Sequence, residues 1–316
     1  MRTLTTLMLA VLLYGLFVLY AGYQEIGTSL AGFRWMTFAA ALGLATTNYG
    51  LRFLKWEYYL GRLGVSGVKK TDSLLVFLSG VVLTVTPGKV GEVFKSAVLS
   101  ETHGVPAART APIVVAERLT DVIGVIILVV IGSAGFSGGL GWAGIGTIFV
   151  LLGLVLILWR APGLALVAWC ERRPGRIGRL APKLRDAFDS LRILASPPAL
   201  LWPALLSVAG WGCEGVALYV LLHGFATPAP FTVAMFFYAT ATLAGAVIPL
   251  PGGLGITEAI MEEGLVHLGG IAQGPATAAM ILTRFATLWW AVLVGFVALT
   301  VLKARFPGLL RGDGTT

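Results

Sequence analysis

Apolar runs long enough to cross a bilayer recur along this chain: Leu4 to Tyr23, Phe33 to Leu51, Val114 to Ile131, Trp142 to Leu158, Leu201 to Leu222 and Ala276 to Leu302. A hydrocarbon core about 30 Å thick takes roughly 20 helical residues, and each run is of that order. Inside lipid the backbone must satisfy its own hydrogen bonds, so continuous rather than alternating apolar runs predict a bundle of helices. Charged residues make up 12% of the 316 residues against 57% hydrophobic, too little charge to cover a soluble domain of this size. The first run follows Arg2, but it is longer than a signal-peptide core and no convincing cleavage site follows it, so a retained signal anchor is expected.

Lysine and arginine orient the spans, because short cytoplasmic loops collect them. Arg52, Lys55, Arg62, Lys69 and Lys70 fall between Arg52 and Asp72, and seven arginines and lysines fall between Glu171 and Arg192. The stretches Gly132 to Gly141, His223 to Pro230 and Glu262 to Thr283 have none. The first group is therefore read as cytoplasmic loops and the second as external. Arg2 at one end and Lys303, Arg305 and Arg311 at the other put both termini inside. Arg34 is the exception, accommodated by a snorkelling side chain.

Against this topology the stretch TPGKVGE, Thr86 to Glu92, is out of place: it puts a Pro-Gly break and charges directly after the thirteen largely apolar residues Ser73 to Val85. Those residues reach only about 20 Å as a helix, short of the hydrocarbon thickness. Both flanks are cytoplasmic, so the segment is expected to enter from inside, break at Pro87 and Gly88, and return through Val90 to Leu99 as a re-entrant hairpin. Irregular backbone at that depth is tolerated where it is buried in protein or faces a watery cavity.

PLPGGLGITE, Pro249 to Glu258, repeats the spacing: Pro251, Gly252 and Gly255 correspond to Pro87, Gly88 and Gly91. Arg118 lies 31 residues after Pro87, and Arg284 lies 33 after Pro251, each on the following span. The second hairpin, Phe231 to Gly264, lies between external segments and so enters from outside. The predicted fold is an all-α integral membrane domain occupying residues 1–316. It has about six spanning helices and two Pro-Gly-broken re-entrant hairpins, arranged as an inverted repeat with halves of about 4–131 and 142–302. Such repeats with paired broken helices characterise secondary transporters, whose cargo binds between the halves. A Pro-Gly break can also simply kink a spanning helix; two breaks with matched arginines and opposite entry favour the repeat.

Charges at membrane depth are costly and face a cavity or each other. Glu117, Arg118 and Asp121 open a span as ERLTD, with Glu117 and Asp121 on one face and Arg118 reaching Asp121 at i+3. Lys89, Glu92 and Lys95 lie on the first hairpin, Glu258 on the second, and Glu214 within another span. Two uses are open for them: salt bridges that lock the hairpins to their neighbours, or a binding site. Arg118, Arg284 and Lys89 favour the second, since arginine forks beside broken helix ends suit an anion such as phosphate.

LRFLKW after the second span, PGKVGEVFK, ERLTD and PGGLGITE, in this order, resemble the membrane region of the lysylphosphatidylglycerol synthase/flippase family over roughly Leu4 to Leu302. The resemblance implies lipid translocation across a bacterial inner membrane, with Arg118, Glu92 and the two Pro-Gly turns in a charged central cavity. The family's synthases continue into a soluble aminoacyl-transferase domain, whereas this sequence reads as a stand-alone membrane region. The implied cargo is an anionic lipid: a phospholipid, a polyprenyl-phosphate glycolipid or a hopanoid-related lipid.

The leading expectation is a flippase without enzymatic activity or cofactor. The substrate-binding candidates are Arg118, Arg284, Lys89, Glu92, Lys95, Glu117, Asp121 and Glu258. Partners are membrane lipids, with a separate synthase or glycosyltransferase or a second copy of the chain compatible and nothing pointing to nucleic acid. The alternatives are an intramembrane enzyme using Glu92, Glu117, Asp121 and Glu258 on a lipid phosphate, and a scaffold for a lipid-modifying enzyme. PGKVGE is not an ATP-binding loop, and His103, His223 and His267 have no metal-ligand spacing. Cys170 and Cys213 are placed on the cytoplasmic side and within a span, which argues against a disulfide. Ile177, Leu180, Leu184, Phe188 and Leu191 form a helical stripe among basic residues, so 171–195 is expected to be a cytoplasmic amphipathic segment at the inner leaflet or a solvated linker helix. Trp142, Trp159 and Trp202 fall at span ends, as an aromatic belt would place them.

Overall fold

A computed structural model describes residues 23–86, 91–135, 181–227, 229–248 and 250–309, with isolated positions between 141 and 172. The expected spans at Leu4 to Tyr23 and Trp142 to Leu158, together with Pro87, Gly88 and Lys89, lie essentially outside them. All regular structure among the described residues is helical. The helices are α1 Tyr23–Ala31, α2 Trp35–Arg62, α3 Lys70–Val81, α4 Phe94–His103 and α5 Pro112–Ser133, followed by α6 Ala181–Leu194, α7 Pro197–Gly224, α8 Phe231–Val247, α9 Ile256–Glu263 and α10 Gln273–Arg305. By length and apolar composition, α7 and α10 are the two described helices able to cross a membrane.

Helical structure gives way on the described flanks of the first Pro-Gly segment and at the second. After α3 a tight 3-10 turn, Val82–Val85, leads to Thr86, and the chain resumes helical form at α4. Thr86 brackets the break: its Oγ1 donates to the Leu83 carbonyl at 2.7 Å and accepts the Gly91 N–H at 2.8 Å. A Cβ at Gly91 would meet Leu83 Cβ at 2.5 Å, so the chain can close here only on glycine. After α8 the turn Pro251–Gly253 holds Gly252 at φ +61°, and Gly255 at φ +89° starts α9, backbone conformations that side chains other than glycine's disfavour.

The helices before and after the two breaks exchange partners. α8, before the second break, packs on α5, after the first; the C-terminal part of α10, after the second break, packs on α3, before the first. Glycines set the approach in both cases. A Cβ at Gly132 would lie 2.6 Å from the Phe236 backbone nitrogen, and one at Gly295 2.5 Å from that of Val82, which is how small residues let membrane helices meet closely. α7 packs most extensively on α2 and also on α5 and α8, and the two tight turns touch each other. Val82, Val85, Leu288 and Val292, with Leu254 against them, fill that junction.

Two details differ from the sequence reading. α2 does not end near Leu51 but continues to Arg62, so Arg52 and Lys55 are not loop residues. They fall on the stripe Ala41, Ala45, Asn48, Arg52, Lys55 and Tyr59 that faces the protein, and they are 6% and 0% exposed. Arg34 is more than a snorkelling side chain: its guanidinium donates to the His223 carbonyl and its N–H to the Gly224 carbonyl, covering the end of α7. α6 packs on α5 and on the helical turn Ala107–Thr110, with Leu194 buried. Ile177 and Leu180 of the expected stripe lie outside the described residues.

Candidate functional site

The site begins on α5. Its positions 117, 118 and 121 face α2 and the stretch after the first break, and seven ionisable side chains from these elements meet there. Arg118 Nη2 lies 2.9 Å from Glu92 Oε2 and 3.2 Å from Asp121 Oδ2. Glu92 also pairs with Arg52 at 3.2 Å, while Asp121 Oδ1 accepts from Lys55 Nζ at 2.5 Å. Ser207 of α7 joins that contact, donating to Asp121 at 3.0 Å and accepting from Lys55 at 2.9 Å. Lys95 and Glu117 make a separate pair at 2.5 Å, with Lys95 4.7 Å above the Trp56 ring. Each charge is compensated, as charges out of water must be.

The second break repeats the core of this arrangement. Arg284 Nε donates to Glu258 Oε1 at 2.5 Å and its Nη2 to the Gly252 carbonyl at 2.6 Å, while the Gly255 N–H donates to Glu258 Oε2 at 2.7 Å. In both halves an arginine from the helix after the break therefore reaches back to the glutamate that follows the Pro-Gly turn. Directly after Arg284, α10 loosens into a π-turn, Phe285–Trp289, a feature common at functional positions. The Thr287 carbonyl of this turn accepts the Tyr49 hydroxyl at 2.8 Å.

A cavity of about 130 Å³ opens between the two arginine–glutamate pairs. Arg52, Arg118 and Arg284 line it together with Asp121 and Glu214, and both breaks contribute to its wall through Thr86 and Gly252. Glu92, Glu258 and Glu117 stand behind the wall, each within ion-pair distance of a basic side chain, which for Glu117 is Lys95, also behind the wall. The Nε–H groups of Arg52 and Arg118 have no hydrogen-bond acceptor among the described residues. The lining thus offers three guanidinium groups, held in part by Glu92 and Glu258, which do not line it. It is a surface suited to an oxyanion. Apolar Val122, Val125 and Leu243 line it as well.

The family model for the lysylphosphatidylglycerol synthase TM region matches residues 7–295 of this chain. The chain belongs to that family. It is also similar to a UPF0104 membrane protein of Methanothermobacter thermautotrophicus, with 22% identity over an alignment covering 92% of this chain and 90% of the relative. For this member of the lysylphosphatidylglycerol synthase TM-region family, a membrane location and a relation to lipid handling follow from membership.

Of the sequence candidates, Arg118, Glu92, Asp121, Lys95 and Glu117 come together in the first cluster, and Arg284 and Glu258 in the second; Lys89 lies outside the described residues. Arg52 and Lys55 were missed as site residues because a cluster of basic residues after an apolar run reads as a loop. The signal that identifies them is phase: they continue the i, i+3, i+4 spacing of the buried stripe of α2. Glu214, a charge within a span that no motif singles out, lies on the cavity wall.

Proposed function

We propose that this protein translocates a lipid with an anionic headgroup across the cytoplasmic membrane, with the phosphate received by Arg52, Arg118 and Arg284 and the tails left in the bilayer. The observation that carries this reading is the convergence of three arginines from different helices on one cavity at the junction of both breaks. Arginine forks bind phosphate through paired N–H donors. The partner exchange between α8–α5 and α10–α3 supports an inverted repeat whose two halves can rock about the cavity, and the breaks at α3–α4 and α8–α9 are then re-entrant hairpins entering from opposite sides. Exposed Arg62, Lys69, Lys70, Lys303 and Arg305 gather at one end of the bundle, joined by the 2.9 Å pair of Arg305 with Asp72, and that end is the cytoplasmic one.

The reading involves no chemical step. Glu92, Glu117, Asp121 and Glu258 each hold a basic side chain, an arrangement that positions arginines and lysines rather than activating a nucleophile. The test is reconstitution of the purified protein in phosphatidylglycerol-containing vesicles with a fluorescent phosphatidylglycerol on one leaflet. The probe is expected to exchange between leaflets and to be recovered chemically unchanged. Recovery of a modified lipid would replace this reading with the intramembrane enzyme.

A further inference from the structure

The cavity wall carries one carboxylate that differs from all those used so far. Glu214 on α7 is 5% exposed and lies among the lining residues, yet no lysine, arginine or histidine among the described residues is within ion-pair distance of it. Both its oxygens are held by neutral donors: Oε1 accepts from Asn48 Nδ2 of α2, and Oε2 accepts from the Tyr238 hydroxyl of α8. The ionisable groups around it are Tyr49 and Arg52 on α2, Arg118 and Asp121 on α5, Tyr238 on α8, Arg284 on α10 and its chain neighbour Cys213. Each of the three arginines is paired with another carboxylate, Arg52 and Arg118 with Glu92 and Arg284 with Glu258. Lys55 on α2 is held by Asp121 and by Ser207, which lies two turns before Glu214 on α7.

A buried carboxyl with neutral partners can take up or release a proton without breaking an ion pair, which the four clamped carboxylates cannot. Ionisable groups at membrane depth that face a cavity are the usual elements of proton pathways. Glu214 also ties together three helices. Its partners come from α2 and from α8, and α8 runs directly into the second Pro-Gly break beside Arg284. Adding a proton turns one oxygen from acceptor to donor, so the hydroxyl of Tyr238 and the amide of Asn48 can no longer both donate to a charged acceptor. The hold of α7 on α8 then weakens.

We infer that Glu214 is a proton-binding site that couples a proton gradient to movement of the cargo through the cavity. The inference rests on the translocation reading given above. The proton forms an O–H bond with Glu214 when the cavity opens to the more acidic side and returns to water when it opens to the other. The charge state of Glu214 sets which packing of α8 on α7 is preferred.

Two measurements on the full-length purified protein test this. Infrared difference spectra taken from about pH 4 to about pH 9, a range covering ordinary and strongly perturbed carboxyl groups, are expected to contain a carboxylic-acid C=O band that Glu214→Gln removes and Tyr238→Phe moves to a different titration midpoint. A spectrum unchanged by Glu214→Gln would remove the proton site, whether or not lipid moves. In vesicles of phosphatidylethanolamine and phosphatidylglycerol with a fluorescent phosphatidylglycerol probe, an imposed pH gradient is expected to change the wild-type exchange rate several-fold. Glu214→Asp should keep that response, and Glu214→Gln should bring the ratio of rates with and without gradient to unity. Wild-type exchange at one rate whatever the gradient would refute the coupling and leave translocation standing. Wild-type protein that moves no probe at all would refute both.

Discussion

An arginine that reaches back to the glutamate beyond a broken turn is the recurring unit at the residue scale, seen in Arg118–Glu92 and again in Arg284–Glu258. The carboxylates hold the guanidinium groups at the cavity wall while compensating charge in a medium that tolerates none unpaired. The pair Lys95–Glu117 has the same chemistry away from the wall, 2% and 1% exposed, and its role is to join the stretch after the first break to α5. Replacing one member leaves the other buried and uncompensated, at a cost of about 3 to 5 kcal/mol, whereas replacing both with apolar residues of similar size is close to neutral. Lys95→Met is therefore expected to lower the thermal unfolding temperature in detergent clearly, and adding Glu117→Leu should restore most of it. A Lys95→Met protein as stable as wild type would show that this pair holds nothing together.

At the scale of elements, the breaks rest on glycine. Gly252 sits at φ +61° with Leu288 Cδ2 3.3 Å from where a Cβ would be, and Gly91 is enclosed by Leu83 and Thr86. A left-handed conformation costs a non-glycine residue about 1 to 2 kcal/mol, and overpacking a tight site costs about 1 to 3 kcal/mol. Neither is enough to prevent membrane insertion. Gly252→Val and Gly91→Val are thus expected to insert and purify but to lose most lipid exchange in vesicles; exchange at the wild-type rate in both would reduce the breaks to passive kinks. These breaks were legible in the sequence because Pro-Gly-x-x-Gly occurs twice and because thirteen apolar residues are too few to cross. The inward turn of α2 beyond Leu51 was not legible from composition, since Arg52 and Lys55 look like a loop to any rule that counts charges. Only their phase with Ala45, Asn48 and Tyr59 distinguishes them, and that phase gains meaning once Glu92 and Asp121 are known to lie opposite. The packing of α8 on α5 and of α10 on α3 was not legible, because it depends on Gly132 and Gly295, which no periodicity singles out.

For the whole molecule, the proposed inverted repeat makes a prediction about orientation. Orientation can be read by single cysteines in a background with Cys170 and Cys213 replaced by serine. Cysteines at exposed Thr71 and Glu101, flanking the first hairpin, are expected to react with an impermeant maleimide only from the cytoplasmic side, and those at Pro230 and Leu268, flanking the second, only from outside. Opposite-side labelling within either pair would mean a full crossing and no inverted repeat. The central claim, that the arginine-lined cavity is the path of an anionic headgroup, is tested most directly by the rate of fluorescent phosphatidylglycerol exchange in vesicles containing Arg118→Gln protein, with its thermal stability measured alongside. The account predicts a folded, monodisperse protein whose exchange falls at least about tenfold, the loss of roughly 1.4 kcal/mol of phosphate stabilisation, and recovers only in part with Arg118→Lys because a point charge does not replace a fork. An Arg118→Gln protein of wild-type stability that exchanges the probe at the wild-type rate would contradict it.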